Sequence, residues 1–310
     1  MTEPRGRHVP VLLEVAIDLL RIRPDGTYVD CTLGLAGHAE AIVRRLGPAG
    51  RLIGFDRDPE AFALAEARLK KACAGMGAEA PALTLVAEAF SSIAQHVEPR
   101  SVDGLLADFG VSSLQFDQAG RGFSFQADGP VDMRMDTRKG PTAGQVVNEM
   151  DERELANLIY EYGEERRSRT VARAIVRGRP VSSTSQLARI VASAVPPMKH
   201  IHPATRTFQA LRIYVNRELE EIKSLMEAAP NLLKPSARLV VISFHSLEDR
   251  IAKDSIREGA RQGIWEMVTK KPATAGEDEI DRNPRARSAK LRAAEKLEAE
   301  IRDQGSRIRN

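Results

Sequence analysis

The chain has 310 residues, of which 42% are hydrophobic and 29% are charged, as in ordinary globular proteins and unlike disordered or fibrous chains. The N-terminal apolar stretch is interrupted by Glu14 and Asp18, and no run approaches the roughly 18 apolar residues of a membrane-spanning helix, so we expect neither a signal peptide nor a membrane segment. The two cysteines, Cys31 and Cys73, lack metal-ligand spacing, and we expect a cytoplasmic protein without a metal site.

Basic residues are unevenly spread along the chain, although the net charge is only +3. They concentrate in three stretches, at residues 166–179, 199–217 and 282–309. A single run of this kind is usually a solvated helix face. Three of them together indicate a polyanionic partner about as strongly as they indicate solvated surface.

Residues 27–108 alternate short apolar runs with helical patterns. The runs are TYVDC, RLIGFD, ALTLVA and VDGLLAD, and each ends beside a polar or acidic residue. Between them, residues 38–46 and 59–72 carry apolar side chains at helical spacing. Strands and helices that alternate in this way predict a parallel sheet with helices on both faces.

The pattern changes after residue 117, where helices predominate until ARLVVISF at 237–244 again predicts a buried strand. One long helix is predicted at about 205–229, and GIWEMVTK and SAKLRAAEK are suited to complete the sheet. We therefore predict an α/β fold, a Rossmann-like sheet with an inserted helical domain. The predicted sheet domain comprises residues 1–116 and 206–310, and the helical substrate-recognition domain comprises residues 117–205.

A turn with two glycines, in VDCTLGLAGHAEAI, joins the first of these strands to a helix. Backbone N–H groups and the helix dipole at such a turn favour an anionic or polar ligand. Asp56 ends the next strand 22 residues after Gly34, close to the ~20 residues expected for a carboxylate that binds ribose hydroxyls. Gly34 and Gly37, in place of GxGxxG, suit a group smaller than a pyrophosphate, such as the amino acid end of S-adenosylmethionine. These residues alone do not identify the ligand.

Longer blocks of the chain resemble the RsmH (MraW) family. They are HVPVLLEVAIDLL, DCTLGLAGHAEAI, DRDP, DFGVSSLQFD, RGFSFQADGPVDMRMD, HPATRTFQALRIYVNRELEEI, ISFHSLEDR and NPRARSAKLR, in this order from His8 to about Arg292. Members of this family are class I methyltransferases that use S-adenosylmethionine to methylate N4 of a cytidine in the decoding centre of small-subunit (16S) ribosomal RNA. The resemblance implies the same reaction here, on an assembled or nearly assembled small subunit, and leaves a homodimer open.

The resemblance also implies a set of cofactor-binding residues. They are Ala36, Gly37, His38, Asp56, Phe90, Asp108 and Gln115. The chain departs from the family pattern at Cys31, at Phe109 and, more importantly, at Ala36, which replaces a glycine. A methyl group at position 36 puts cofactor affinity in question if φ is positive there.

Several of these residues also have structural interpretations. Asp30 fits a brace of the turn and a ligand contact equally well, whereas His38 and Phe90, taken alone, fit a surface histidine and a core ring. His245 and Ser246 follow a buried strand at the edge where ligands bind. For them a brace between strand and loop is at least as good an interpretation as a substrate contact.

The chemistry of the acceptor suggests the catalytic group. The N4 lone pair of cytosine is delocalised into the ring, so the amine needs an acceptor for its N–H groups while the methyl transfers. Asp108 ends the fourth strand, where amino-methyltransferases place such an acceptor, and it is the predicted catalytic residue. A hydroxyl of Ser112 or Ser113, or a nearby carbonyl, is the alternative.

A cytosine in structured RNA must leave its stack before N4 reaches such a pocket. Basic residues of the insertion and of the C-terminal region are predicted to contact the phosphates around it. The RNA-facing candidates are Arg134, Lys199, Arg206, Arg285 and Arg287.

Two other classes of function stay open on the sequence. One is a different enzyme on this fold: the turn from Gly34 to His38 argues against a nicotinamide dehydrogenase, and the lack of an Asp/Asn-Pro-Pro-aromatic motif after the fourth strand weakens a DNA amino-methyltransferase. The other is a binding-only RNA protein with an inactive cofactor site, which Ala36 makes conceivable.

Overall fold

The computed structural model describes residues 10–196 and 201–298. Its strands are β1 (Thr27–Asp30), β2 (Arg51–Phe55), β3 (Ala82–Val86), β4 (Val102–Asp108), β5 (Leu233–Ser243), β6 (Trp265–Met267) and β7 (Lys290–Lys296). They form one sheet in the order β3-β2-β1-β4-β5-β7-β6. The first five strands pair in parallel, and β7 lies antiparallel between β5 and β6. The predicted parallel sheet, completed by two C-terminal strands, is confirmed.

The helices surround this sheet or form the segment inserted between β4 and β5. They are α1 (Leu13–Leu20), α2 (Gly37–Val43), α3 (Pro59–Met76), α4 (Ile93–His96), α5 (Ser113–Asp117), α6 (Ala143–Glu149), α7 (Glu152–Gly163), α8 (Ser168–Arg177), α9 (Thr184–Ala194), α10 (Thr205–Asn216), α11 (Glu218–Leu232), α12 (Ser246–Arg261) and α13 (Glu277–Arg282). Among the described residues, no helix combines the length and apolarity needed to cross a membrane.

Both faces of the sheet are buried, which explains why the strands read as continuous apolar runs. Val29 and Leu105 face a cluster that includes side chains of α11 and α12. Their neighbours Tyr28 and Leu106 face a second cluster, with side chains of α1, α2 and α3. Alternate residues of one strand therefore supply two separate cores, and the carboxyl ends of the strands stay at one edge.

The single long helix predicted at about 205–229 is wrong. The chain forms α10 and α11 instead, separated by Arg217 in a left-handed conformation with φ 51°. The side chain of Asn216 explains the break, because its Nδ2 donates to the carbonyl of Met133 at 2.7 Å and its Oδ1 accepts the N–H of Met135 at 2.7 Å. These buried bonds tie the helix end to a distant segment, and the apolar periodicity carries no sign of them.

The inserted helices have a hydrophobic core of their own. This core includes Phe208 and Leu211 of α10, whereas Ile222 and Met226 of α11 pack against the sheet. The domain division at residues 116/117 and 205/206 stays a prediction. The packing favours Arg217, between α10 and α11, as the second boundary.

Ala36 precedes α2 in a left-handed conformation, with φ 59° and ψ 32°. Such a conformation costs a non-glycine residue roughly 1 kcal/mol or more. The methyl group is fully buried and packs in the cluster on the α1 side of the sheet. Burial of a methyl group contributes about 0.8 kcal/mol, so it offsets most of the backbone strain.

We predict that Ala36→Gly changes the free energy of unfolding by less than about 1 kcal/mol, because relief of strain and loss of the buried methyl group nearly cancel. Ala36→Val combines a β-branched side chain with positive φ in a filled site, and we expect it to cost about 3 kcal/mol. Urea unfolding of the two variants checks both values. An Ala36→Val variant as stable as the parent protein would contradict the left-handed assignment.

Candidate active site

A cleft opens at the carboxyl ends of β1, β2 and β4, the edge at which parallel α/β sheets bind ligands. It encloses about 1050 Å³ including its mouth, between the loops that follow β1 to β4 on one side and side chains of α5 and α11 on the other. Of the predicted cofactor-binding residues it brings together Gly37, His38, Asp56, Phe90, Asp108 and Gln115. Ala36 does not line the cleft, because its methyl group points into the core.

The turn after β1 is held by the carboxylate that ends β2. Gly34, with φ +52°, donates its N–H to Oδ2 of Asp56 at 2.7 Å, and Asp58 donates its N–H to Oδ1 at 2.8 Å. Burial raises the pKa of Asp56 to about 6, against the lowering effect of these two bonds. Each oxygen accepts one backbone bond and keeps a second lone pair, so Asp56 is able to accept hydroxyl groups of a ligand as well.

Gly37 is required by packing of the N-terminal segment. A Cβ atom at this position would lie 2.1 Å from Cγ of Pro10. Pro10 and Val11 line the cleft beside it, so the glycine lets this segment close one side of the cleft. The close approach of Pro10 therefore explains why position 37 is a glycine, without reference to a ligand.

His38 lies buried under the same segment. Its Nε2 is 3.0 Å from the carbonyl of Val11, to which it donates, and its Nδ1 is 3.9 Å from Oδ2 of Asp108. A carbonyl only accepts hydrogen bonds, so the proton is assigned to Nε2. This tautomer turns the basic nitrogen of the ring toward Asp108, and the surface interpretation of His38 is wrong.

Two carboxylates with unsatisfied oxygens lie at the floor of the cleft. Oδ1 of Asp108 and Oδ2 of Asp30 are buried and lack a hydrogen-bond partner within the described residues. Burial raises the pKa of Asp108 to about 8, helped by the charges of Asp30 and Glu248, and burial likewise raises the pKa of Asp30 to about 7. Oδ1 of Asp30 accepts the N–H of Thr32 at 3.0 Å, and Thr32 Oγ1 accepts the N–H of Asp108 at 2.7 Å. Asp30 lies beneath the lining, where it braces the turn, while Asp108 faces the cleft.

Apolar side chains form the opposite wall. Phe90 packs against Phe109 with ring centroids 6.2 Å apart, and both rings line the cleft together with Ile222 of α11. Phe90 is only partly buried, which leaves surface for a flat apolar ligand group. The departure from the family pattern at Phe109 thus adds a ring to this wall.

Gln115 reaches the cleft, but its amide is already engaged. Its Oε1 accepts the N–H of Ser112 in a capping box of α5, and its Nε2 donates to Oδ2 of Asp58 at 2.7 Å. Arg121 donates to the same oxygen at 2.8 Å. Gln115 therefore positions α5 against the loop after β2, and one amide N–H remains for a ligand.

The sequence pattern does not identify Asp58 and Arg121 as residues of the site. The order Asp58-Pro59 is a recognisable helix start, with an N-cap before a proline at the first position. That signal identifies the cap. It carries no information on Gln115 and Arg121, which lie 57 and 63 residues further along the chain.

His245 and Ser246 act as braces. His245 caps α12 through Nδ1, and the hydroxyl of Ser246 donates to the carboxylate of Glu164 at the end of α7. Glu218, His245 and Glu248 bring three potential metal ligands within 4.8 Å of one another. The guanidinium of Arg212 binds both oxygens of Glu218, at 2.9 and 2.8 Å, so this cluster is an internal ion-pair network.

Three of the RNA-facing candidates are paired with carboxylates of the chain. Arg134 binds Asp132 through two nitrogens, and it precedes Met135 of the cleft lining. The remaining pairs are Arg206 with Glu165 at 3.7 Å and Arg285 with Asp117 at 2.7 Å.

Two candidates differ from these three. Arg287 is exposed, and Lys199 lies outside the described residues.

The chain matches known proteins over nearly its whole length. The family model described as "MraW methylase family" matches residues 5–297. A curated relative from Acidobacterium capsulatum, "Ribosomal RNA small subunit methyltransferase H", is 67% identical over 294 residues, which cover 94% of this chain and 99% of the relative. A relative of the same name from Koribacter versatilis is 56% identical and covers 94% and 96% of the two chains.

Among solved structures, an S-adenosylmethionine-dependent O-methyltransferase from Thermotoga maritima matches with a TM-score of 0.43 and 12% identity, over 94% of this chain and 68% of that one. The family match spans nearly the whole chain and excludes the dehydrogenase alternative. The chain belongs to the MraW methylase family, and S-adenosylmethionine, the cofactor expected from the sequence, is the methyl donor of that family.

Proposed function

We propose that this protein transfers a methyl group from S-adenosylmethionine to N4 of a cytidine in the decoding centre (P-site region) of 16S ribosomal RNA. The names of the relatives support the ribosomal substrate, and the motif blocks that resemble the RsmH family support the N4 position. The observation that carries the chemistry is the buried, unsatisfied oxygen of Asp108 at the floor of the cleft. Such an oxygen lacks a hydrogen-bond donor, and the N–H groups of an amine would supply one.

The residues of the cleft suit the cofactor. Asp56 keeps lone pairs for the two ribose hydroxyls, and the partly exposed ring of Phe90 offers a stacking surface for adenine. His38 and the turn at Gly37 remain for the methionine end of the ligand. When bound, S-adenosylmethionine supplies an electrophilic methyl group on a positively charged sulfur.

Asp108 activates the acceptor in this proposal. Its carboxylate accepts an N–H of the cytosine amine, which favours the sp3 character that the nitrogen needs during transfer, and it then takes the proton that the amine loses. The basic Nδ1 of His38 lies 3.9 Å from Oδ2 of Asp108, where it is placed to receive that proton from the carboxyl group. Positioning of the amine in line with the methyl group supplies the rest of the rate.

The test of the proposal is methyl transfer from labelled S-adenosylmethionine to purified small ribosomal subunits and, in parallel, to naked 16S RNA. Nucleoside mass analysis identifies the product. N4-methylcytidine supports the cofactor, the chemistry and the substrate together. Methylation of another nucleoside overturns the N4 assignment, and a folded protein that binds RNA without methylating it reveals the binding-only alternative.

We predict that Asp108→Asn lowers kcat at least about 100-fold, because the amide accepts only weakly and takes no proton. The same change removes a charge that burial disfavours, so the thermal midpoint of the ligand-free protein at pH 8 is expected to rise. Asp18→Asn, on the exposed side of α1, is the matched control and leaves both values unchanged. A normal kcat in the Asp108→Asn variant contradicts the catalytic role.

We predict a pH dependence of cofactor binding. The pKa of Asp108 is raised to about 8, so below that pH the group is mostly neutral, and a cation bound beside it must displace the proton. The affinity for S-adenosylmethionine should therefore rise between pH 6 and 8, by up to about tenfold per pH unit. S-adenosylhomocysteine, whose sulfur is uncharged, should show a flatter profile. Calorimetric titration of both ligands checks this, and identical profiles would disprove the linkage to Asp108.

A further inference from the structure

A small groove lies between α12 and the β6–β7 edge of the sheet, apart from the cleft already described. It is shallow, with a volume of about 240 Å³ that includes the open solvent at its mouth. Among the described residues, four of its lining side chains are cationic and none is a carboxylate; the cations are Lys253, Arg257, Lys270 and Arg292. We call it the α12 groove. So much charge of one sign around a small depression creates a strongly positive local potential.

Pairing within the chain neutralises only part of this charge. Arg292 binds both oxygens of Asp249, at 2.7 and 3.2 Å, and Lys253 lies 3.3 Å from Asp254. Arg257 and Lys270 are exposed and make no ion pair with the described part of the chain. The groove therefore presents two cations, Arg257 and Lys270, that have no ion-pair partner among the described residues. Beneath them the ion pair of Arg292 with Asp249 holds the floor of the groove in place.

The shape of the groove is fixed by the elements that form it. Trp265 of β6 packs so closely on α12 that a Cβ atom on Gly259 would lie 2.2 Å from its ring. After β6, Thr269 Oγ1 accepts the N–H of Ala293 at 2.9 Å, which places Lys270 against β7. Arg257 and Lys270 thus project from two elements that are packed together in the free protein. Ligand binding therefore does not include the free-energy cost of bringing these elements together.

The groove is connected to the methyl-transfer cleft by α12. Phe244 lines the cleft and α12 begins two residues later. Along the helix, Arg250, Lys253 and Arg257 follow one another at spacings of three and four residues on one side. The distance from Ser246 to Lys253 is about 10 Å at 1.5 Å per residue. The inserted helices meet the start of α12, where Ser246 and Arg250 bind Glu164, and Lys253 and Arg257 follow further along the helix.

We propose that the α12 groove binds phosphate groups of the ribosomal RNA backbone, further along α12 than the point at which the insertion meets that helix. This inference rests on the proposed function and adds a second anchoring surface to it. RNA whose target base lies in the cleft continues beyond it in two directions, and α12 leads from the edge of the cleft to the groove. The contacts are to phosphates, so they hold the RNA without reading its sequence.

The experiment compares two double variants with the same change of charge. Arg257→Glu with Lys270→Glu removes the unpaired cations of the groove. Lys70→Glu with Lys71→Glu reverses two exposed lysines on α3 and serves as the control. For each protein we would measure the affinity for small ribosomal subunits over a range of salt concentrations, the KM and kcat of methyl transfer, the Kd of S-adenosylmethionine and the thermal midpoint.

We expect the groove variant to bind subunits about tenfold more weakly than the parent and to show a salt dependence that is less steep by about 1.5, as for two lost phosphate contacts. Its KM should rise while kcat, the cofactor Kd and the thermal midpoint stay unchanged. Unchanged subunit affinity in the groove variant, or an equal loss in the α3 control, overturns the inference. If the parent protein itself does not methylate ribosomal RNA, it is the proposed function that fails.

Discussion

The buried carboxylate of Asp58 is the contact on which the arrangement of the site depends. Its Oδ1 accepts the N–H of Glu60 and starts α3, while its Oδ2 accepts bonds from Gln115 and Arg121. Its own N–H binds Asp56. One side chain that is 1% exposed thus joins the ribose-binding loop, α5 and the segment that leads into the insertion. Loss of one partner of a buried ion pair such as Asp58 with Arg121 leaves a buried charge and typically costs about 3–5 kcal/mol. The positions of the cofactor site and of the insertion therefore both depend on Asp58.

The floor of the cleft shows the opposite relation between charge and stability. Asp30, Asp56 and Asp108 end three neighbouring strands, and burial raises the pKa of each of them. Proximity of like charges in a low dielectric opposes folding once they ionise. The apolar clusters on both faces of the sheet offset the free energy that these buried charges cost. A cationic ligand compensates for the same charges, so binding and folding are linked through these three residues.

The sequence predicts the sheet, its edge and most of the cleft because those features depend on local pattern. Apolar runs, a glycine turn and an acid 22 residues later are all short-range signals. It does not predict the break at Arg217, since Asn216 binds a segment more than 80 residues away. Nor does it predict the conformation of Ala36, because a strained φ is visible only when surrounding packing is known. Contacts between distant parts of the chain account for both failures.

The contact between the insertion and α12 has an exposed part and a buried part. Glu164, in a left-handed conformation at the end of α7, binds Ser246 and Arg250. The Arg250 and Glu164 side chains are 54% and 41% exposed, and an ion pair this exposed contributes about 1 kcal/mol or less. The Asp58 anchor on the other side of the insertion is buried and strong. The contact with α12 also has a buried part, where Tyr162 of α7 packs in one cluster with Leu247 and Ile251 of α12. The insertion is therefore held to the sheet domain by buried contacts on both sides, and the exposed ion pair adds little to them.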